Sequence, residues 1–125
     1  MKLVVTKPST SRKHRYTATS HLRRKFISAP LSPNLRGEHG TRSMLVVVDD
    51  TVSITKGDRK LSEGRVLKVD TKNEKIYIEG VTRSRQDGST VQIPIKSENV
   101  MITKLNLNDQ WRKKILERKS FSAEE

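Results

Sequence analysis

The chain has 125 residues, with 26 Lys or Arg against 14 Asp or Glu, a formal net charge of +12, and only 32% apolar and 4% aromatic residues. That length holds one domain with tails, and so thin an apolar complement cannot build a core spread evenly over every position. No cysteine is present, which excludes disulfides and thiolate zinc sites, and the three histidines are too scattered for a metal cluster. No cofactor is expected. The longest uninterrupted apolar run, Met44 to Val48, spans five residues, against about 20 for a membrane helix and at least about 7 for the apolar part of a secretory signal. A soluble, unexported chain of a reducing compartment is therefore expected, cytoplasmic and not inserted in a membrane.

Charge and β-branched residues are partitioned in opposite senses. Residues 1–43 carry ten basic side chains and one acidic, residues 44–104 eleven and nine, and residues 105–125 five and four, while fifteen of the nineteen Val and Ile lie in 44–104. Val and Ile suit a pleated, half-buried surface. The organisation expected is a basic N-terminal extension over 1–43, a β body over 44–104, and a C-terminal helix with a frayed tail over 105–125.

Taken in chain order, residues 1–19 lack apolar periodicity and are expected to be disordered in isolation. Ser20 caps a short helix over 20–27 in which Leu22 and Phe26, four apart, pack on the body and the other side is basic. Ser28-Ala29-Pro30 ends it, and Ser32-Pro33 opens a second helical turn that stops at Gly37. Met44 to Val48 reads equally as a strand or a connection. Five strands follow, over 52–55, 64–70, 75–81, 89–95 and 99–103, with Asp and Asn in the turn at 70–74 and Asp87-Gly88 at a hairpin. Pro94 donates no ladder hydrogen bond, which places the fourth strand at an edge or a bulge. Asn108-Asp109 caps a helix from about Gln110 to Lys119, anchored by Trp111 and Ile115 on one face. The fold class is mostly β: a small barrel of about five strands with a basic extension, short N-terminal helices and a C-terminal helix.

Residues 52–69 read strand, polar loop, strand, with Gly57 and Gly64 in the connection. This resembles the KOW motif, which ribosomal proteins and transcription elongation factors carry in SH3-like barrels. Gly64 is the glycine of the motif, where a Cβ would block the backbone conformation or a close approach. Many family members have a second loop glycine where this chain has Leu61, and here Glu63 precedes Gly64. Beyond the loop, Ser20 to Lys25, Ser28 to Ser32, Arg42-Ser43-Met44, Ile78 to Val81, Asp87-Gly88 and Asn99 to Leu105 resemble, in this order, a universal large-subunit ribosomal protein of the archaeal and eukaryotic type. It is the family numbered twenty-four in bacteria and twenty-six in eukaryotes, and the likeness runs from about Arg12 to Lys119. The resemblance implies an early-assembling protein bound to the 5′-proximal domain of large-subunit rRNA near the polypeptide exit tunnel. Neighbouring large-subunit proteins are implied as partners, as is a nascent chain or targeting factor at the tunnel. No homo-oligomer is expected.

An excess of nine positive charges over 43 residues points to phosphate neutralisation. The candidate rRNA contacts are Arg12, Lys13, Arg15, Arg23, Arg24, Lys25, Arg36 and Arg42 in the extension, and Lys56, Arg59, Lys60 and Arg65 around the KOW loop. Arg83 and Arg85 in the hairpin and Lys113 on the last helix complete the cations. Tyr16 and His21 are candidates for stacking on unpaired bases, whereas Trp111 is read as core. Asp49-Asp50 reads as a turn whose carboxylate accepts backbone hydrogen bonds. No catalytic constellation is found, so the chain is not expected to be an enzyme. The rival class is a KOW module of a transcription factor that contacts polymerase or nascent nucleic acid; it usually carries a further domain, for which 125 residues leave little room. A proline-peptide adaptor needs an aromatic groove, and Tyr77 is the one aromatic residue in 44–104.

Overall fold

Ile27, Ala29 and Leu31 alternate with more exposed neighbours, as do Met44 and Val46, and that period of two drives the first strand pair. The computed structural model describes residues 6–124, the last four by backbone alone. Strand β1 (Ser28–Pro30) pairs antiparallel with β2 (Ser43–Leu45). The central sheet contains β3 (Thr51–Ile54), β4 (Glu63–Asp70) and β5 (Lys75–Ile78), then β6 (Thr82–Ser84) and β7 (Thr90–Gln92) form a separate hairpin, and β8 (Val100–Lys104) returns to the sheet. The order is β5-β4-β3-β8, antiparallel throughout.

Bridges carry the ladder beyond both edges. Ile76 and Ile95 exchange backbone hydrogen bonds of 2.8 and 2.9 Å, and on the opposite side Leu31 bridges Ile102 in parallel, with the Ser32 N–H donating to the Ile102 carbonyl at 2.9 Å. The result is a small barrel-like body, mostly β, filled by Val52, Ile54, Val66, Ile76, Ile78, Val100 and Ile102 from the sheet and by Ile27, Ala29, Leu31, Met44 and Val46 from the preceding segment. The core therefore reaches outside residues 44–104. Residues 27–31 belong to it because burying Ile27 and Leu31 contributes about 1.5–3 kcal/mol each.

Several boundaries differ from expectation, each for a local reason. The strand expected over 75–81 breaks at Gly80, whose φ of 83° turns the chain, and β6 begins beyond it. Pro94 interrupts the strand expected over 89–95, so β7 ends at Gln92 and Ile95 bridges β5. Helix α1 (Pro8–Thr17) occupies a region expected to be disordered, of which residues 1–5 lie outside the described residues. It buries no side chain; polar contacts hold it. Helix α2 (Ser20–Arg23) continues as a 3-10 turn over Arg24–Phe26, and Thr19, not Ser20, takes the capping position. Leu22 and Phe26 stay exposed instead of packing on the barrel. Helix α3 (Pro33–His39) is capped by the Ser32 hydroxyl, which accepts from the Leu35 N–H at 3.4 Å, and it ends at Gly40, φ 66°, rather than at Gly37.

Helix α4 (Gln110–Glu124) starts on Asp109, whose carboxylate accepts from the Trp111 N–H at 3.0 Å. It runs past Lys119, and residue 125 of the expected frayed end lies outside the described residues. Among the described residues its buried side chains are Arg112 and Leu116, with Ile115 half-buried against the core. Arg112 makes a bidentate pair with buried Asp50 (2.5 and 2.6 Å) and also donates to the carbonyls of Leu45 (3.0 Å) and Asn106 (2.8 Å). Asp50 accepts further from the backbone N–H groups of Val47 (3.1 Å) and Asn106 (2.8 Å). The turn carboxylate read from Asp49-Asp50 is thus Asp50, and it locks α4. One residue along a helix is about 100° of rotation, so seating Arg112 inward swings Trp111 outward. Trp111 is 68% exposed and does not belong to the core.

Candidate nucleic-acid interface

The β3–β4 connection is shaped by two residues in opposite circumstances. A Cβ on Gly64 would lie 2.5 Å from the Glu79 carbonyl oxygen and 2.8 Å from an Ile78 methyl, so glycine is there because β5 passes against its α-carbon. Leu61 has φ 72°, a conformation that favours glycine, and its side chain is 82% exposed. The loop keeps its shape because the Leu61 N–H donates to the Ile54 carbonyl at 2.8 Å.

Lys56 and Arg59 from this loop and Arg83 from the β6–β7 hairpin line one open groove between the two, together with Lys75 and Lys96. Asp58 is the one acidic side chain among the described residues on its wall. Arg59 also donates to the Thr82 carbonyl at 3.0 Å, tying loop to hairpin. Lys75 and Lys96 escape a sequence reading because their proximity comes from the Ile76–Ile95 bridge, and no local pattern announces that register. At the hairpin tip Asp87 accepts from the Ser89 hydroxyl and N–H (2.7 and 3.0 Å), which hold its carboxyl below the usual range. Arg85 stays exposed beside it.

The extension forms a second basic surface. Arg12 and Lys13 project from α1, and Arg24, Lys25 and Arg42 follow; all are exposed, and among the described residues they make no side-chain hydrogen bond or ion pair. The same holds for Lys56, Lys60, Arg83 and Arg85. A shallow depression between α1 and the next helical turns is lined by Arg12, His14, Arg15, Leu22, Lys25 and Phe26. Tyr16 is exposed, and the imidazole Nδ1 of His21 lies 2.9 Å from the Thr19 hydroxyl.

Four other predicted cations are occupied within the chain, and a fifth, Lys113, stands beside carboxylates. Arg15 pairs with Glu74 in the β4–β5 turn, which raises its pKa above the ordinary arginine value, and stands 5.3 Å from the Phe26 ring centre. Arg23 donates to the carbonyls of Tyr16 (2.6 Å), Ala18 (3.0 Å) and Lys72 (3.0 Å), so it fastens the extension to the same turn. Arg36 donates to the Leu31 carbonyl at 2.9 Å. Arg65 lies 3.7 and 3.8 Å from the carboxylates of Asp49 and Glu79, which makes its surroundings locally neutral. Lys113 faces a depression that also contains Glu38 and Glu117. These five are weaker phosphate candidates than the unpaired cations, since an incoming anion must displace an existing partner or share the site with carboxylates.

Among the described residues no cluster of His, Asp and Glu is placed to hold a metal, and no helix is long and apolar enough to cross a membrane. A family model that describes ribosomal proteins, number twenty-six in eukaryotes and number twenty-four in archaea, matches residues 5–119. Three relatives are each called "Large ribosomal subunit protein uL24". The protein of Korarchaeum cryptofilum is 43% identical over 119 residues, 95% of this chain and 91% of its own length. That of Methanothrix thermoacetophila is 46% identical over 116 residues (93% and 100%), and that of Methanosarcina barkeri 44% over 110 residues (88% and 95%). With a match that spans the barrel and both flanks, the chain belongs to this archaeal and eukaryotic family of large-subunit ribosomal proteins.

Proposed function

We propose that the chain is a structural, non-enzymatic constituent of the large ribosomal subunit which clamps large-subunit rRNA between its N-terminal helices and the groove beside the KOW loop. The observation that carries this reading is the set of exposed cations that have no partner among the described residues, Arg12, Lys13, Arg24, Lys25, Lys56 and Arg83, in a chain whose other arginines are largely consumed by internal contacts. Cations left unpaired against a polyanion release counterions on binding, which is where RNA affinity comes from. The relatives carry a large-subunit name, and the polymerase-module reading has no observation in its favour. The family resemblance supports, further, a position on the 5′-proximal rRNA domain near the exit tunnel and an early role in assembly.

Sedimentation of a cell lysate tests the assignment: the protein is expected to travel with large subunits, and co-purification with polymerase instead would overturn it. Titration of the purified chain with an rRNA fragment at rising salt tests the mechanism. Each phosphate neutralised is expected to add about 0.7–0.9 to the magnitude of the slope of log affinity against log salt.

A further inference from the structure

We propose that a cleft beside Trp111 receives one unstacked RNA base, with the flanking phosphates held by Arg24, Lys25 and Lys119. This rests on the rRNA-binding reading above and adds a site to it. The cleft lies between α4 and the 3-10 turn and β2; Leu45, Val47 and Ile115 supply apolar wall, and Trp111 stands at its edge. Trp111 is the single tryptophan of the chain, and its ring joins a large apolar face to a polar N–H, the combination enriched at interfaces.

Three observations choose RNA over a protein segment as the occupant. Charge is the first: Arg24, Lys25 and Lys119 line the cleft, Asp109 is its one acidic side chain among the described residues, and the Asp109 carboxylate already accepts the Trp111 N–H. Lys114 adds a cation 4.6 Å from the Trp111 ring centre. The second is continuity, because Lys25 also lines the depression under α1, so one strand of RNA can run from the extension to α4 without leaving positive surface. The third is the kind of groups present. Beside the apolar wall and the Trp111 ring, Ser28, Ser43 and Asn106 add neutral polar groups to the cationic side chains of the slot, the combination by which single-stranded bases are stacked and oriented. Lys119 is preorganised, its ammonium donating to the Ser43 carbonyl at 2.9 Å.

The lone tryptophan makes the test direct. The full chain is titrated with a short oligoadenylate, and with an abasic oligomer of equal phosphate count, while Trp111 emission is followed. The oligoadenylate is expected to quench that emission and bind several-fold tighter than the abasic oligomer. Trp111→Ala is expected to weaken oligoadenylate binding about 5- to 100-fold, and Trp111→Phe to retain most of it. The exposed ring makes both variants safe for folding. Equal affinity for the two oligomers, or unchanged emission at saturation, would overturn the proposal, and continued salt-dependent binding of an rRNA fragment in that case would leave the broader reading standing. Failure of the fragment itself to bind would overturn both. In assembled large subunits, a photoreactive side chain in place of Trp111 is expected to crosslink to RNA; crosslinks to protein alone would identify a protein occupant and sink the inference.

Discussion

Residues 8–26 and residues 27–31 adjoin in sequence and lie in the same basic extension, yet they are held by different physics. The first stretch buries no apolar side chain and is fastened by exposed polar contacts, chiefly Arg15 to Glu74 and Arg23 to the Lys72 carbonyl. The second inserts Ile27, Ala29 and Leu31 into the barrel. Surface ion pairs contribute up to about 1 kcal/mol, whereas losing a buried leucine costs about 2–5 kcal/mol. The lesson is that net charge does not mark where folding stops: the basic extension contains both a strand the barrel needs and a helix pair held by surface contacts alone.

The strongest challenge to that comparison is at the junction with α4. Asp50→Ala leaves Arg112 buried without its counter-ion, a loss of about 3–5 kcal/mol, and the urea midpoint is expected to fall accordingly; replacing Asp50 and Arg112 together by apolar residues is expected to recover much of it. Next, Leu31→Ala is expected to cost about 2–5 kcal/mol, while deleting residues 1–19 is expected to shift stability by no more than about 1 kcal/mol yet to reduce the salt slope of rRNA binding. An equal loss of stability from both changes would erase the distinction. Gly64→Ala, which drives a methyl into the Glu79 carbonyl, is expected to cost about 1–3 kcal/mol by the same measurement. The smallest effect belongs to Glu74→Gln: stability is expected to change by about 0.2–1 kcal/mol, with faster proteolysis within α1 and rRNA affinity kept or raised, since Arg15 is released.

How much of this the sequence disclosed depends on the range of the interaction. The Asp87-Gly88 hairpin rests on neighbours a few residues away and its chemistry could be read directly; Gly64 was legible through the motif around it, although the carbonyl that demands it belongs to Glu79, on the far side of the next turn. Ser28-Ala29-Pro30 looked like a helix terminator because a proline and a small residue dominate it, although the alternation of Ile27, Ala29 and Leu31 carried the strand signal. Trp111 was misplaced because Trp111 and Ile115 share a helical face just as Arg112 and Leu116 do, and the choice between faces is made by Asp50, sixty-two residues away. The groove was legible in three of its five cations; Lys75 and Lys96 join it only through strand pairing.

The decisive measurement is the structure of the large subunit that carries this chain, read for what surrounds Arg12, Lys13, Arg24, Lys25, Lys56 and Arg83. Most of these cations are expected within about 4 Å of RNA phosphate oxygens, the usual reach of an ion pair, with Ile27–Leu31 still in the barrel. Finding them in open water or against protein, with α1 still clipped to Glu74 and no RNA near it, would contradict the account.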